Sequence, residues 1–219
     1  MSAHTVLSFS RDLEFASPTE LSKRMGCPPH YWVRAALKEL IDNSLDACEE
    51  ASIAPEVTIA TEGSTLSVAD NGPGMTQELV DKLCIRSQRT STREAFASPD
   101  RGSQGNALPV IMALAFGFGR ERSGITITSN GLEHTIALHA NRLEQRIDLE
   151  RAIRDVPAEP GTMITLSWPE EIDAGEIRDL LASYCWLNPH AIFRFNDEPA
   201  WSVGTEVAKW PTGAPTAPH

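Results

Sequence analysis

The sequence has few cysteines and lacks a long uncharged apolar segment. No apolar run reaches the roughly 18 residues that a transmembrane helix requires, and the N-terminus does not have the layout of a signal peptide. The four cysteines (Cys27, Cys48, Cys84 and Cys185) show no CxxC spacing. The absence of that spacing favours reduced, buried thiols over a disulfide framework or a zinc site. These absences predict a cytoplasmic protein with no membrane association.

Basic residues are also scarce, since 19 Lys and Arg stand against 30 Asp and Glu, for a formal net charge of −11. Nucleic-acid phosphates are bound chiefly by Lys and Arg, so this charge balance argues against a broad nucleic-acid-binding surface on this chain itself. A protein partner that binds DNA remains compatible with it.

Hydrophobic periodicity predicts helices first and a mainly antiparallel sheet later in the 219 residues. Ser17, Pro18 and Gly26 delimit a first helix. The later predicted elements are a long helix over 27–51, strands at 56–60 and 64–70, a helix at 76–85, a polar loop at 86–103, a helix from 104, a hairpin at 124–140, strands at 143–149 and 162–168, a helix at 171–187 and a strand at 191–195. We therefore predict an α+β fold, a two-layer sandwich whose mixed, mainly antiparallel sheet is covered on one face by helices.

Three regions divide the chain. Residues 1–15 form an N-terminal segment, residues 16–200 a single domain, and residues 201–219 a Pro-rich tail for which we predict no regular structure.

The long helix carries an unusual polar face. On a helical wheel Glu39, Asn43, Asp46 and Glu50 cluster opposite an apolar stripe that includes Leu37. A solvated helix face usually alternates acidic with basic residues, because such i,i+4 pairs stabilise it. An all-acid and amide face therefore indicates a binding role.

Two glycine-containing motifs follow this helix. Asp70-Asn71-Gly72-Pro73-Gly74 comes where a predicted strand ends, and Gly102-Ser103-Gln104-Gly105-Asn106 comes where a helix begins. A Gly-rich loop that leads into a helix N-terminus presents backbone N–H groups to phosphates. Each motif alone is also compatible with plain turn chemistry.

Together and in this order the motifs resemble the Bergerat nucleotide-binding fold of gyrase, MutL mismatch-repair proteins, heat-shock chaperones and histidine kinases. The matching stretches over residues 15–195 are ELIDNSLDA, DNGPGM, RGSQGNAL and GTMITL. The sequence is most similar to the ATPase domain of the B subunit of type IIB topoisomerases (topoisomerase VI), on DNSLDACEEA, DNGPGM and NPHA.

The residue types suit ATP and Mg²⁺. An amide oxygen from Asn43 can ligate Mg²⁺ beside phosphates without adding charge, and Glu39 can activate the attacking water. Asp70 can accept a hydrogen bond from the adenine amine, Met75 can cover the base, and Thr162 supports Asp70. The predicted nucleotide-binding residues, with Thr92 and Arg93 implied by the resemblance alone, are Asn43, Asp46, Asp70, Gly72, Gly74, Met75, Thr92, Arg93, Gly102, Ser103, Gln104, Gly105, Asn106, Ala107, Leu108 and Thr162.

The sequence departs from the related topoisomerase chains in two ways. Ala107 stands where they have a third phosphate-loop glycine, and we expect these 219 residues to lack a counterpart of the transducer domain that supplies a lysine to the γ-phosphate in the related chains. The resemblance implies either an ATPase module that works with a partner chain or a domain cut at its boundary. Slow hydrolysis by the isolated chain is expected in both cases.

The resemblance further implies a homodimer that forms on nucleotide binding, with residues 1–15 as its strap. It also implies a partner like the topoisomerase A subunit that acts on DNA. An anti-sigma-type protein serine kinase and a non-hydrolysing ATP sensor are the alternative functions.

Overall fold

The computed structural model describes residues 12–89, 107–196 and 198–200 of the chain. The helices are α1 (Asp12–Phe15), α2 (Pro18–Met25), α3 (Trp32–Glu50), α4 (Gln77–Arg89), α5 (Ala107–Gly117) and α6 (Ala174–Leu187). The strands are β1 (Glu56–Glu62), β2 (Thr65–Asp70), β3 (Arg122–Ser129), β4 (Leu132–Asn141), β5 (Arg146–Asp155), β6 (Thr162–Ser167) and β7 (Ile192–Phe195).

The strands form one sheet in the order β5-β4-β3-β6-β2-β1-β7. All neighbouring strands in it pair antiparallel except β1 and β7, which are parallel. This mixed, mainly antiparallel sheet with helices packed against it confirms the predicted α+β fold.

Local sequence explains where the first helices lie. Ser17 caps α2 by accepting a hydrogen bond from the Glu20 N–H at 3.4 Å, and Gly26 ends the helix with φ of 69°. A single 3₁₀ turn, Pro29–Tyr31, then leads into α3. The predicted apolar stripe of α3 is buried, with Leu37 and Ile41 fully covered.

The strands nearest α3 alternate strictly. Leu66 and Val68 of β2 are buried, and their partners across the ladder, Leu166 and Ile164 of β6, are buried with them. This two-residue period places apolar side chains on the face that the helices cover. It also fixes which residues at the strand ends point toward the helices.

Several predicted boundaries were wrong. The long helix predicted from residue 27 begins at Trp32, after the separate 3₁₀ turn, and β1 continues to Glu62. Helix α4 continues to Arg89, so residues 86–89 are helical rather than part of the loop. Strand β5 begins at Arg146 and runs to Asp155, because residues 142–145 form the turn of a second hairpin. Helix α6 begins at Ala174, where Asp173 caps it. Among the described residues no helix combines the length and apolarity needed to cross a bilayer.

Candidate functional site

The inner face of the sheet becomes polar where the central strands β2, β6 and β3 reach one end of the sheet, which is called the polar edge below. On β2 the buried alternation Leu66, Val68 continues to Asp70, and on β6 Ile164 is preceded by Thr162. Strand β3 ends in the same way at Ser129, which pairs directly with Thr162. Three adjacent strands thus carry a carboxyl and two hydroxyls at this end of the sheet, on the face that carries the core.

Asp70 is held in place by the backbone. Its Oδ1 accepts hydrogen bonds from the N–H of Gly72 at 2.9 Å and from the N–H of Thr162 at 3.1 Å. Burial raises the pKa of the Asp70 carboxyl above its ordinary value, although the hydrogen bonds from the Gly72 and Thr162 N–H groups partly oppose that shift. The carboxylate is therefore fixed and poorly solvated, and a further donor would stabilise its charged form.

Close backbone packing explains why a glycine precedes Thr162. A Cβ at Gly161, whose φ is +89°, would lie 1.8 Å from the Asp70 carbonyl oxygen. Only glycine allows β6 to begin this close to the end of β2. This contact brings the Thr162 N–H within reach of Asp70.

The loop after β2 is fixed by the turn between β3 and β4. Ser129 Oγ accepts a hydrogen bond from the Met75 N–H at 2.8 Å, and Asn130 Nδ2 donates to the Met75 carbonyl at 2.9 Å. Gly74 lies against both side chains with φ of +83°, and a Cβ there would come within 2.7 Å of Ser129 Oγ. The loop and the turn are therefore packed without room for a side chain between them.

Helix α3 supplies the opposite wall of a cleft above this polar edge, with a volume of about 460 Å³. Asn43, Ser44 and Glu50 contribute polar groups to that wall. The cleft is lined by Leu40, Asn43, Ser44, Ala47, Glu50, Ala51, Asp70, Pro73, Gly74, Met75, Leu79, Leu83, Leu108, Thr162 and Ile164. Its lining is mostly apolar with a few convergent polar groups, which is typical of a small-molecule site.

The structure brings six of the predicted nucleotide-binding residues to this one cleft: Asn43, Asp70, Gly74, Met75, Leu108 and Thr162. Gly72 does not line it but donates to Asp70, and a Cβ there would lie 3.1 Å from that carboxylate. Ala107 begins α5 and packs against the core. Thr92, Arg93 and the segment Gly102–Asn106 lie outside the described residues, as do most of the N-terminal segment and the C-terminal tail.

Asp46, another predicted nucleotide-binding residue, does not line this cleft. It lines a separate cleft of about 570 Å³ between α3 and α6, together with Asp42, Glu49 and Tyr184. Three residues along a helix rotate a side chain by about 60° from its starting direction, which is enough to move Asp46 from the side of Asn43 to the other flank of α3. Burial, followed by the charges of Asp42, Glu49 and Glu50, raises the pKa of the Asp46 carboxyl.

Glu39 lines neither cleft. It lies one turn before Asn43 on α3, with a side chain that is 43% exposed and an oxygen 3.8 Å from Lys38 Nζ. The predicted polar face of α3 is thus divided: Asn43 and Glu50 face the cleft beside Asp70, Asp46 faces α6, and Glu39 is partly open to solvent.

Sequence reasoning missed several residues of the cleft. Ser44 was not among the predicted residues, although its position beside Asn43 brings it to the cleft. Leu79 and Leu83 come from α4, and nothing in their local pattern distinguishes them from core residues. Ser129 holds the loop beside the cleft without lining it, and it could have been found, because the alternation Ile125, Ile127, Ser129 places it on the inner face.

The described residues contain no cluster of three or more His, Cys, Asp or Glu side chains arranged to hold a metal ion. Mg²⁺ does not require such a cluster, since it keeps several waters and takes one or two protein oxygens together with substrate phosphates. The amide oxygen of Asn43 in the cleft wall fits this donor chemistry, and Glu50, about two turns further along α3, lines the same cleft.

Comparison with known families matches residues 31–172 to the family described as histidine kinase-, DNA gyrase B-, and HSP90-like ATPase. That range includes α3, the loop after β2, and the start of β6, which together form the cleft.

Similar sequences include two archaeal proteins, each named as the B subunit of type 2 DNA topoisomerase 6. The Methanosarcina acetivorans protein is 32% identical over 166 residues, which cover 71% of this chain and 27% of that protein. The Natronomonas pharaonis protein is 32% identical over 188 residues, or 79% of this chain and 22% of that protein. The chain thus spans about a quarter of the length of these relatives.

Solved structures show the same fold. The 43K ATPase domain of Thermus thermophilus gyrase B, in complex with an aminocoumarin, has a TM-score of 0.57 at 19% identity and covers 91% of this chain and 54% of that one. The B-subunit of the Myxococcus xanthus DNA gyrase has a TM-score of 0.52 at 15% identity, with 81% and 52% covered. From its family match, its topoisomerase relatives and its fold, this chain belongs to the histidine kinase-, DNA gyrase B- and HSP90-like ATPase family.

Proposed function

We propose that this chain binds Mg-ATP in the cleft between α3 and the polar edge of the sheet and hydrolyses it. The observation that carries the proposal is Asp70, a carboxylate fixed at Oδ1 by two backbone N–H groups at the base of the cleft. Family membership supports ATP as the bound nucleotide, and the position of Asp70 supports selectivity for adenine.

The adenine end of the site would be formed by Asp70 and Met75. Adenine carries an amine where guanine carries a carbonyl, so an acceptor-only carboxylate favours ATP over GTP. The raised pKa of Asp70 supports this assignment, because a poorly solvated carboxylate gains more from an added N–H donor than an exposed one. Met75 would cover the face of the base from the loop after β2.

The phosphate end would lie along α3. Asn43 would hold Mg²⁺, which supplies neutralisation of the phosphate charge when it is bound. Glu39, one turn earlier, would accept a proton from the attacking water. Its partly exposed carboxylate lies outside the described cleft lining, so this role requires the water to approach from the solvent side of α3.

At the level of the assembly, we propose that two copies pair on binding ATP and that the pair drives a protein partner that acts on DNA. The support is the similarity to proteins named as the B subunit of topoisomerase 6, of which this chain spans about a quarter. Residues 1–15 are the proposed strap of the dimer and Thr92, Arg93 and Gly102–Asn106 the proposed phosphate contacts.

The proposal is tested by titrating the chain with Mg-ATP and Mg-GTP in a calorimeter. Asp70→Asn is compared with Asp46→Asn, which makes the same chemical change on the other flank of α3. We expect the parent to prefer ATP and Asp70→Asn to lose about 1.5–3 kcal/mol of ATP binding, the contribution of a charge-assisted hydrogen bond. Asp46→Asn should bind ATP like the parent.

Equal binding of ATP and GTP by the parent would contradict the role of Asp70. Following free phosphate and protein phosphorylation in parallel then separates the reaction classes. Phosphate release supports the ATPase, whereas transfer to protein indicates a serine kinase, and binding without either product indicates an ATP sensor.

A further inference from the structure

Two adjacent side chains in the turn between β3 and β4 bind both backbone polar groups of Met75. Ser129 Oγ accepts from the Met75 N–H at 2.8 Å, and Asn130 Nδ2 donates to the Met75 carbonyl at 2.9 Å. These bonds join residues more than fifty positions apart in the chain. They fix the backbone of the residue whose side chain lines the cleft.

The Ser129 hydroxyl uses its proton in a second direction. It donates to the Gly161 carbonyl at 2.8 Å and lies 3.4 Å from Thr162 Oγ1. One buried hydroxyl, 5% exposed, therefore links the loop that carries Met75 to the start of β6. A hydroxyl has one donor and two acceptor positions, so both bonds can form at once.

The start of β6 is also what holds Asp70. Thr162 N–H donates to Asp70 Oδ1, and the Gly161 backbone packs on the Asp70 carbonyl so tightly that no Cβ fits between them. A continuous set of contacts thus runs from Met75 through Ser129 and Gly161 to Asp70. A substitution at Ser129 removes the link between the two residues proposed to bind the adenine, Met75 and Asp70.

We infer that Ser129 and Asn130 are positioning residues that set the preference of this cleft for adenine without touching the nucleotide. The inference rests on the proposed function. Asp70 discriminates between an amine and a carbonyl only if its distance from the base is fixed, and Met75 fixes the plane in which the base lies. When the turn no longer holds them, ATP loses a well-placed bond and GTP loses an unfavourable contact.

Ser129→Ala removes the bonds to the Met75 N–H and to the Gly161 carbonyl, and Asn130→Gly removes the bond to the Met75 carbonyl. Asn130 has φ of 51°, so glycine keeps the backbone of the turn while the amide is lost. Two matched controls lie elsewhere in the sheet. Ser67→Ala removes a part-buried hydroxyl that bonds Thr165, and Asn196→Gly removes an amide at φ of 49° that bonds the Thr61 N–H.

The readout is the ratio of the ATP and GTP dissociation constants, measured by competition with a fluorescent ATP analogue. A merely structural role lowers the folded fraction and weakens both nucleotides equally, which leaves the ratio unchanged. We expect the preference for ATP to fall about fivefold or more in Ser129→Ala and Asn130→Gly, as the loss of one net hydrogen bond predicts. Ser129→Thr, which retains the hydroxyl, should restore it, and both controls should match the parent.

If the parent prefers ATP and neither variant changes that preference, the inference is overturned while the proposed function stands. If the parent itself shows no preference, the assignment of Asp70 fails and the inference fails with it. Asn130 is exposed, so Asn130→Gly still tests the inference if Ser129→Ala does not fold.

Discussion

The carboxylate of Asp70 is proposed to favour ATP binding, but its burial lowers the stability of the fold. Burial raises its pKa, so the folded state holds the proton more tightly than the unfolded state does. Above the folded pKa the ionised carboxylate therefore lowers the free energy of unfolding, and this effect disappears as pH falls toward the ordinary value of about 4.

We therefore expect Asp70→Asn to be at least as stable as the parent at pH 7 while losing ATP binding. The amide oxygen can still accept the Gly72 and Thr162 N–H bonds. Thermal unfolding at pH 7 and pH 4 measures the difference, which should shrink at the lower pH. A variant that melts well below the parent at pH 7 would show that the negative charge itself stabilises the fold.

Substitutions of Glu39 and Asn43 should affect different steps, because Glu39 is the proposed general base and Asn43 the proposed metal ligand. Glu39→Gln cannot accept a proton, so turnover should fall by roughly 10²–10⁴-fold while ATP still binds. Asn43→Ala should instead weaken the Mg-dependent part of ATP binding, measured by titration with and without Mg²⁺.

Glu49→Gln provides the control for this pair. It makes the same change on α3, at a residue that lines the other cleft and contacts His190. Its turnover should equal that of the parent. If Glu39→Gln and Asn43→Ala both behave like Glu49→Gln, the polar face of α3 is a solvated surface.

At the scale of elements, the junction of β2 and β6 depends on Gly161. Gly161→Ala would press a methyl group against the Asp70 carbonyl at a positive φ, so we expect a loss of more than about 3 kcal/mol in unfolding free energy. Gly63 also has a positive φ, but nothing lies within 4 Å of its missing Cβ. Gly63→Ala should therefore lose only about 1 kcal/mol of unfolding free energy, the cost of the positive φ alone. Urea unfolding of both variants then distinguishes backbone strain from the additional steric clash at Gly161.

Helix α4 is joined to the sheet by a partly buried polar cluster. Arg151 on β5 pairs with Asp81 on α4 and lies 2.8 Å from Nδ1 of His134, which is 2% exposed. Burial and then the charge of Arg151 lower the pKa of His134, although Asp81 raises it. The imidazole is therefore neutral in the folded protein, with Nδ1 as the acceptor.

This cluster predicts a loss of stability in mild acid. Because the folded pKa of His134 is lowered, the unfolded state binds the proton first, and stability falls as pH drops below about 6.5. His134→Gln should show a smaller decrease in melting temperature between pH 8 and pH 5.5 than the parent. His139→Gln, on the same strand at an exposed pair with Glu150, should retain the decrease of the parent. Equal slopes in all three proteins would assign the acid sensitivity to other groups.

At the scale of the whole molecule, trapped ATP should reveal the proposed dimer. Glu39→Gln binds ATP without consuming it, so its mass by light scattering should double when Mg-ATP is added. Asn43→Ala, which weakens nucleotide binding, should remain at the mass of a single chain under the same conditions. A monomeric Glu39→Gln protein with ATP demonstrably bound would contradict nucleotide-driven pairing by this chain.

The sequence by itself determined the features that depend on local chemistry. Ser17 and Gly26 mark the ends of α2, and alternation over residues 64–70 predicts a strand with Asp70 at its end. The motif order identified the family that the comparison confirms over residues 31–172. Such features follow from backbone preferences and side-chain periodicity, which neighbouring residues set.

Tertiary structure decided how the polar residues are shared among surfaces. Because α6 packs against α3, Asp46 lines a second cleft between these helices, although the helical wheel groups it with Asn43. The pairing of β3 with β6 brings Ser129 beside Thr162 and so beside the loop of Met75. A helical wheel or a turn motif carries no information about which distant element will pack against it. For that reason the sequence pointed to Asp70 and Thr162 but not to Ser129 and Asn130, which hold the backbone of Met75.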